Sequence, residues 1–163
     1  MKKGLSPFMS LILVVVISVA GMVLVLRMGE PLMNKTEDFS EFSESRDAMN
    51  RINSAIKDVS YEGNGSSRKI SLNSREGEYR VSASGDSVTY KMESKYELFS
   101  TGMSKREGDL YIDFYENNTL KLILNSTNID ITTTERWGTG SYNILIKNEG
   151  YSGGKTRISF TLL

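Results

Sequence analysis

The chain has 163 residues, with 20 basic and 20 acidic side chains, a length that fits one ordinary domain rather than two. It contains no Cys and no His, which excludes disulfides and thiolate metal sites and removes the commonest general base and zinc ligand. The formal net charge of 0 lacks the basic excess of nucleic-acid-binding proteins. We therefore expect no nucleic-acid partner, no metal and no cofactor.

An uncharged apolar block runs from Phe8 to Leu26. At about 1.5 Å per residue it spans roughly 29 Å as a helix, close to the hydrocarbon thickness of a bilayer. Unpaired backbone polar groups are too costly in lipid, so the block is predicted to be a transmembrane helix. Lys2 and Lys3 precede it and Arg27 follows alone, which favours a cytoplasmic N-terminus and an outward-facing remainder.

Three interpretations of this block compete. It fits an uncleaved signal anchor. It also resembles a secretory signal peptide cleaved after Ala20, although the apolar residues continue beyond that point, where a cleavable signal should turn polar. The third interpretation depends on the residues before the block.

Residues Met1–Pro7 read Met-Lys-Lys-Gly-Leu-Ser-Pro, a short basic leader, a glycine and then the start of the apolar helix. This resembles the class III signal peptide of archaeal type IV pilins. The resemblance implies that a prepilin peptidase cuts between Gly4 and Leu5, so that residues 1–4 are a leader and residues 5–27 a transmembrane and assembly helix. Bacterial pilins carry a glutamate at the fifth mature position, which here is Met9; archaeal relatives commonly lack that glutamate too.

Cleavage would remove Lys2 and Lys3, two charges that hold the helix at the cytoplasmic face. The helix could then exchange lipid contacts for contacts with copies of itself in a filament core. The side chains expected to make those contacts are Phe8, Met9, Leu11, Ile12, Leu13, Val14, Val15, Val16, Ile17, Val19, Val23 and Leu24.

Residues 28–66 are predicted to be a kinked stalk. Gly29 and Pro31 indicate a kink or break, after which Asn34 is a predicted N-cap and an amphipathic second helix follows. Its apolar face either packs on the following domain, the favoured interpretation, or partly contacts neighbouring subunits. That face comprises Phe39, Phe42, Met49, Ile52, Ile56 and Val59.

Acidic residues gather early in this predicted second helix. Glu37, Asp38, Glu41 and Glu44 would lie near its N-terminus. Negative charges are favourable there because of the helix dipole. We therefore expect them to stabilise the start of the helix.

From residue 67 to the C-terminus the apolar period changes from 3.6 to 2. Seven or eight short strands are predicted, separated by Gly, Asn and Asp turns. Strands at such spacing favour an α+β chain with a C-terminal antiparallel β-sandwich of immunoglobulin-like type, and archaeal pilins commonly have such a domain. The alternating apolar positions are Ile70, Leu72, Tyr79, Val81, Ala83, Val88, Tyr90, Met92, Leu110, Ile112, Phe114, Leu120, Leu122, Leu124, Ile129, Ile131, Tyr142, Ile144, Ile146, Ile158, Phe160 and Leu162.

Four Asn-x-Ser/Thr sequons are candidates for N-glycosylation. They begin at Asn34, Asn64, Asn117 and Asn125, and such sequons matter only outside the cytoplasm. Asn64 and Asn117 lie in turn-like stretches that accommodate a glycan, whereas for Asn34 the capping role is favoured.

Two further groups have ordinary structural explanations that we favour over functional ones. Acidic and aromatic residues alternate on the outward face of one predicted strand: Asp109, Tyr111, Asp113 and Tyr115. A carboxylate pair or calcium site is the alternative to a solvated strand face. Trp137, before Gly-Thr-Gly, is a core or edge aromatic rather than an exposed ligand platform.

The combined features resemble a structural subunit of an archaeal type IV pilus, not an enzyme. The expected life cycle is a membrane-anchored precursor, cleavage by prepilin peptidase and self-assembly at a membrane platform into a helical cell-surface filament that serves adhesion or surface contact. The main alternative is a membrane-anchored surface protein that never polymerises. A tethered hydrolase is the least favoured class, since no Ser-centred elbow or phosphate loop occurs.

Overall fold

A computed structural model of the chain describes residues 7–96, 98–100 and 102–163. In that part of the chain a long helix precedes ten strands, which confirms the α+β class. Two compact units, residues 1–37 and 38–163, are described separately below. The elements are α1 (Pro7–Glu62), β1 (Ser67–Ser74), β2 (Glu78–Ser82), β3 (Ser87–Glu93), β4 (Ser104–Glu107), β5 (Leu110–Phe114), β6 (Thr119–Asn125), β7 (Ile129–Ile131), β8 (Glu135–Trp137), β9 (Gly140–Ser152) and β10 (Lys155–Leu162).

The expected break after the apolar block is absent. Gly29 and Pro31 lie inside α1, and the predicted second helix is the C-terminal half of the same helix. A proline inside a helix removes one hydrogen bond and costs about 3 kcal/mol, which kinks or breaks many helices but which a long helix can absorb. Asn34 consequently lies within the helix, and its predicted capping role is wrong.

Glycines end α1. Gly63 and Gly65 have φ angles of 92° and 88°, a left-handed conformation that favours glycine after a helix. The Ser66 hydroxyl donates to the carbonyl oxygens of Val59 and Gly63 at 2.8 and 2.7 Å. The side-chain amide of Asn148 donates to the Val59 carbonyl at 2.8 Å, so this end of the helix is joined to strand β9.

The strands form two sheets. One has the order β1-β9-β10-β7 and the other the order β4-β5-β6-β3-β2-β8. The pairs described are antiparallel, with β7 and β10 as the parallel exception. The predicted alternation is confirmed: burial follows period 2 along β1, β2, β3, β5 and β6. Strands β4 and β8, at the two edges of the six-stranded sheet, were not predicted.

Both sheets and α1 share one hydrophobic core. Met49, Ile52 and Val59 of α1 are fully buried in it, which confirms that the apolar face of the stalk helix packs on the β region. Each such side chain contributes roughly 1.5–3 kcal/mol on burial. Phe39 is the exception, with 54% of its surface exposed. Trp137 is only 3% exposed, so it is a core residue and not a ligand platform.

Asp86 connects the two sheets. It lies in the β2–β3 turn, with a left-handed φ of 45° that Asp and Asn tolerate. Its carboxylate accepts a hydrogen bond from the Ile131 backbone N–H at 3.0 Å and pairs with Lys155 Nζ at 2.6 Å. The hydrogen bond from Lys155 lowers the pKa of Asp86 below its usual range.

Asp86→Asn is expected to destabilise the fold at neutral pH and to have a smaller effect at pH 3. The folded pKa of Asp86 is lower than the unfolded value of about 3.9, so its contribution is complete above that value and is lost as the pH falls through the folded pKa. Both partners are partly exposed, which limits the loss to about 1 kcal/mol. Denaturant unfolding of the full chain in nonionic detergent, at pH 7 and pH 3, measures it.

The matched control is Asp130→Asn. Asp130 also lies beside β10, but its nearest cation, Arg157, is 3.7 Å away, and we expect a change below about 0.5 kcal/mol. An Asp86→Asn loss that is equally large at pH 3 and pH 7 would contradict the charge-based explanation.

Candidate functional site

The apolar block of α1 (Phe8–Leu26) is uncovered on every side in its unit. The predicted assembly side chains are all between 44% and 69% exposed. A surface helix of a water-soluble domain normally has a polar face, and one that is apolar all round needs a covering. Exposed apolar patches larger than a few hundred Å² mark contact with membrane or protein. The block is therefore the candidate functional surface.

The block also meets the requirements for crossing a bilayer. Among the described residues, α1 is the helix that is long and apolar enough to do so, by its length and composition. It can therefore act as a membrane anchor or as a signal sequence. Gly4 and Leu5, the predicted processing site, lie outside the described residues.

Two carboxylates attach α1 to strand β3 and to loops of the β region. Glu41 is only 3% exposed and accepts hydrogen bonds from the Tyr90 hydroxyl at 2.6 Å and the Arg75 backbone N–H at 3.0 Å. Asp38, 2% exposed, accepts from the Ser94 hydroxyl at 2.5 Å and the Lys95 backbone N–H at 3.0 Å. The prediction that these acids lie near a helix start is wrong, because they lie in the middle of α1.

Tyr90 is held as a hydrogen-bond donor in this cluster. Burial raises the pKa of Tyr90 well above its usual range, and its hydrogen bond to the Glu41 carboxylate is the second cause of that rise. The hydroxyl therefore stays protonated at physiological pH, and Glu41 keeps its partner. Among the described residues Glu41 forms no ion pair, so hydrogen bonds from neutral donors are what stabilise this buried side chain.

Ion pairs attach another side of α1 to the β4–β5 hairpin. Arg46 Nε lies 2.7 Å from Glu107 Oε2, and Lys57 Nζ lies 2.6 Å from Asp109 Oδ2. The Asn53 amide also donates to Asp109, at 3.3 Å. Hydrogen bonds from Lys57 and then Asn53 lower the pKa of Asp109, so this carboxylate stays charged and structural.

The structure does not assemble Asp109 and Asp113 into one site. Asp109 binds residues of α1, whereas Asp113 accepts a hydrogen bond from the Ser104 hydroxyl at 2.6 Å. Within the described ranges, no group of three or more acidic, Cys or His side chains could hold a metal ion. The structural explanation of these acids is therefore the one that their contacts support.

The sequons occupy different surroundings. Asn64, Asn117 and Asn125 are exposed, the first two in turns and the third at the end of β6. Asn34 is half-buried within α1. The first three positions therefore present an accessible asparagine to which a glycan could be attached.

Comparison with known proteins identifies no relative. No protein-family model matches the chain, and no curated protein or solved structure is significantly similar to it. Function is therefore inferred from the chain's own residues: the uncovered apolar block, the β region and the leader.

Proposed function

We propose that this chain is a structural subunit of a cell-surface filament of the archaeal type IV pilus kind. The observation that carries the proposal is the apolar block, exposed on all sides, at the N-terminal end of a chain whose remaining residues form a core of their own. Such a block needs lipid first and, after assembly, neighbouring copies of itself.

The energetics of this exchange depend on packing. Lipid tails are as apolar as Leu or Val, so moving a helix from lipid to a helical bundle gains little from the hydrophobic effect. Van der Waals packing between the helices must supply the association energy. Heterologous contacts that do not close into a ring then extend along an axis and produce a filament.

The C-terminal unit would form the outer surface of that filament. Its two-sheet core supports the β-sandwich, and the immunoglobulin-like form is part of this proposal. Prepilin peptidase and a membrane assembly platform would be the partners during export. The mature filament would serve adhesion or surface contact, with exposed sequons available for glycans.

A non-polymerising membrane-anchored protein is the second candidate. The uncovered apolar block supports this second candidate as well as it supports the filament subunit, since a helix of this length and composition is sufficient as a membrane anchor. The two candidates differ in whether the leader is removed.

Intact-mass spectrometry of the native protein is expected to find Leu5 at the mature N-terminus. Gly4→Leu should leave the leader attached and abolish filaments, because the leader resemblance places the cleaved bond after Gly4. Ser6→Ala is the control and should be processed normally. A native chain that keeps residues 1–4 would contradict the filament proposal and support the anchored protein.

A further inference from the structure

The outer face of the six-stranded sheet contains an open groove. Its volume is about 920 Å³. Arg80 of β2, Lys91 of β3 and Lys121 of β6 line it, together with Tyr115 and Asn117 from the β5–β6 turn. All of these residues belong to the C-terminal unit, so the groove exists independently of filament assembly.

Like charges face each other across this sheet. Lys91 is directly opposite Lys121, and Arg80 is directly opposite Arg136. On its other side Lys91 is opposite Glu78, and Lys121 is opposite Asp113. Opposite charges across strands stabilise a sheet and like charges destabilise it. Each lysine therefore has one favourable and one unfavourable neighbour, and an anionic group of a ligand placed between the two lysines would relieve the unfavourable contact.

Two of these cations are free to bind. Arg136 pairs with Glu78, and Lys91 pairs with Glu93 at 3.1 Å. Neither Arg80 nor Lys121 forms a side-chain hydrogen bond or ion pair with any described residue. They lie on strands separated by β3 and are offset by two residues along the strands, which places them roughly 12 Å apart.

The other lining groups suit a sugar chain. Thr89 and Thr119 present hydroxyls, Asn117 presents an amide, and the Tyr115 ring is 47% exposed at the rim. These groups bind sugar hydroxyls and the apolar faces of sugar rings. Glu78 and Glu116 also line the groove, and their negative charges favour a ligand with widely spaced anionic groups over a densely charged polyphosphate.

We propose that this groove binds an anionic polysaccharide with spaced carboxylates, of which Arg80 and Lys121 each bind one. Arginine binds a carboxylate through two parallel N–H groups, and lysine binds it as a point charge. The intervening sugar lies over Thr89 and Lys91. This site goes beyond the proposed function, since a single unassembled chain suffices to bind.

The test uses the full chain, produced without N-glycans, in nonionic detergent. Titration calorimetry measures binding of hyaluronan oligosaccharides, with one carboxylate per disaccharide, against neutral dextran and duplex DNA. Arg80→Gln and Lys121→Gln should each weaken hyaluronan binding roughly three- to tenfold. Lys69→Gln, on the other sheet, is the matched control and should bind as wild type.

Thermal unfolding separates lost binding from lost folding. Lys121→Gln removes one like-charge neighbour, Lys91, and one opposite-charge neighbour, Asp113, so its Tm should stay close to that of the wild type. Failure of the wild type to bind hyaluronan, equal binding of dextran, or unchanged affinity in both variants would overturn the proposal. Tighter binding of DNA than of hyaluronan would overturn the ligand class.

Discussion

Replacing Val15 by aspartate is expected to leave the chain in the membrane but to abolish its filaments. An aspartate at a helix centre costs roughly 2.5–3.5 kcal/mol on insertion, whereas each Leu, Ile, Val or Phe contributes roughly 0.3–0.6 kcal/mol in favour. The rest of the apolar block outweighs that cost. In lipid, local thinning and water also solvate the carboxylate, but a core of packed helices offers no water and no cation.

Two measurements separate these effects. Alkaline extraction shows whether the variant is inserted in the membrane, and electron microscopy counts filaments on cells that make only the variant. Val25→Asp is the control, because Val25 lies near the end of the block beside Arg27, where a carboxylate can reach the interface. Filaments at wild-type number with Val15→Asp would show that the block does not lie in a dry core.

Gly77→Ala is expected to be the most destabilising single methyl addition in the C-terminal unit. A Cβ at Gly77 would lie 2.1 Å from the Tyr90 hydroxyl oxygen. Tyr90 is fully buried and bonded to Glu41, so its ring has no free space to enter. Overpacking combined with loss of a hydrogen bond to a charged group gives roughly 3–5 kcal/mol.

Chemical denaturation of the full chain in detergent measures this loss. Gly138→Ala is the matched control, since a Cβ there meets no atom within 4 Å and no left-handed φ is required. It should change stability by less than about 0.5 kcal/mol. Equal stabilities of the two variants would mean that the Glu41–Tyr90 cluster is not rigid.

Apolar periodicity predicted most of this fold. The apolar block and the alternating strands were identifiable because buried positions are occupied by apolar side chains. Tyr79, Leu122 and Ile146 are fully buried, as the period-2 pattern predicted. The packing of the apolar face of the stalk helix on the β region was predicted correctly for the same reason. The break at Pro31 was wrong because local preference does not measure how much cost a long helix can absorb.

The features that were not predicted from the sequence depend on residues that become neighbours only in the folded chain. Strand β4 reads Ser-Lys-Arg-Glu, and a short polar edge strand of that kind has no alternation to detect. Glu41 was assigned to the start of a helix, because nothing local to it indicates the Tyr90 hydroxyl. The groove was missed since Lys91 and Lys121 become neighbours only once the strand order is known.

The most direct test of the central claim is to shear surface filaments from cells that make this protein, image them, and sequence their subunit from its N-terminus. The apolar block is proposed to leave lipid and pack against its own copies. Filaments built of this chain, starting at Leu5, are the expected result. Recovery of the chain only as single, full-length molecules in the membrane, with no filament containing it, would contradict the proposal.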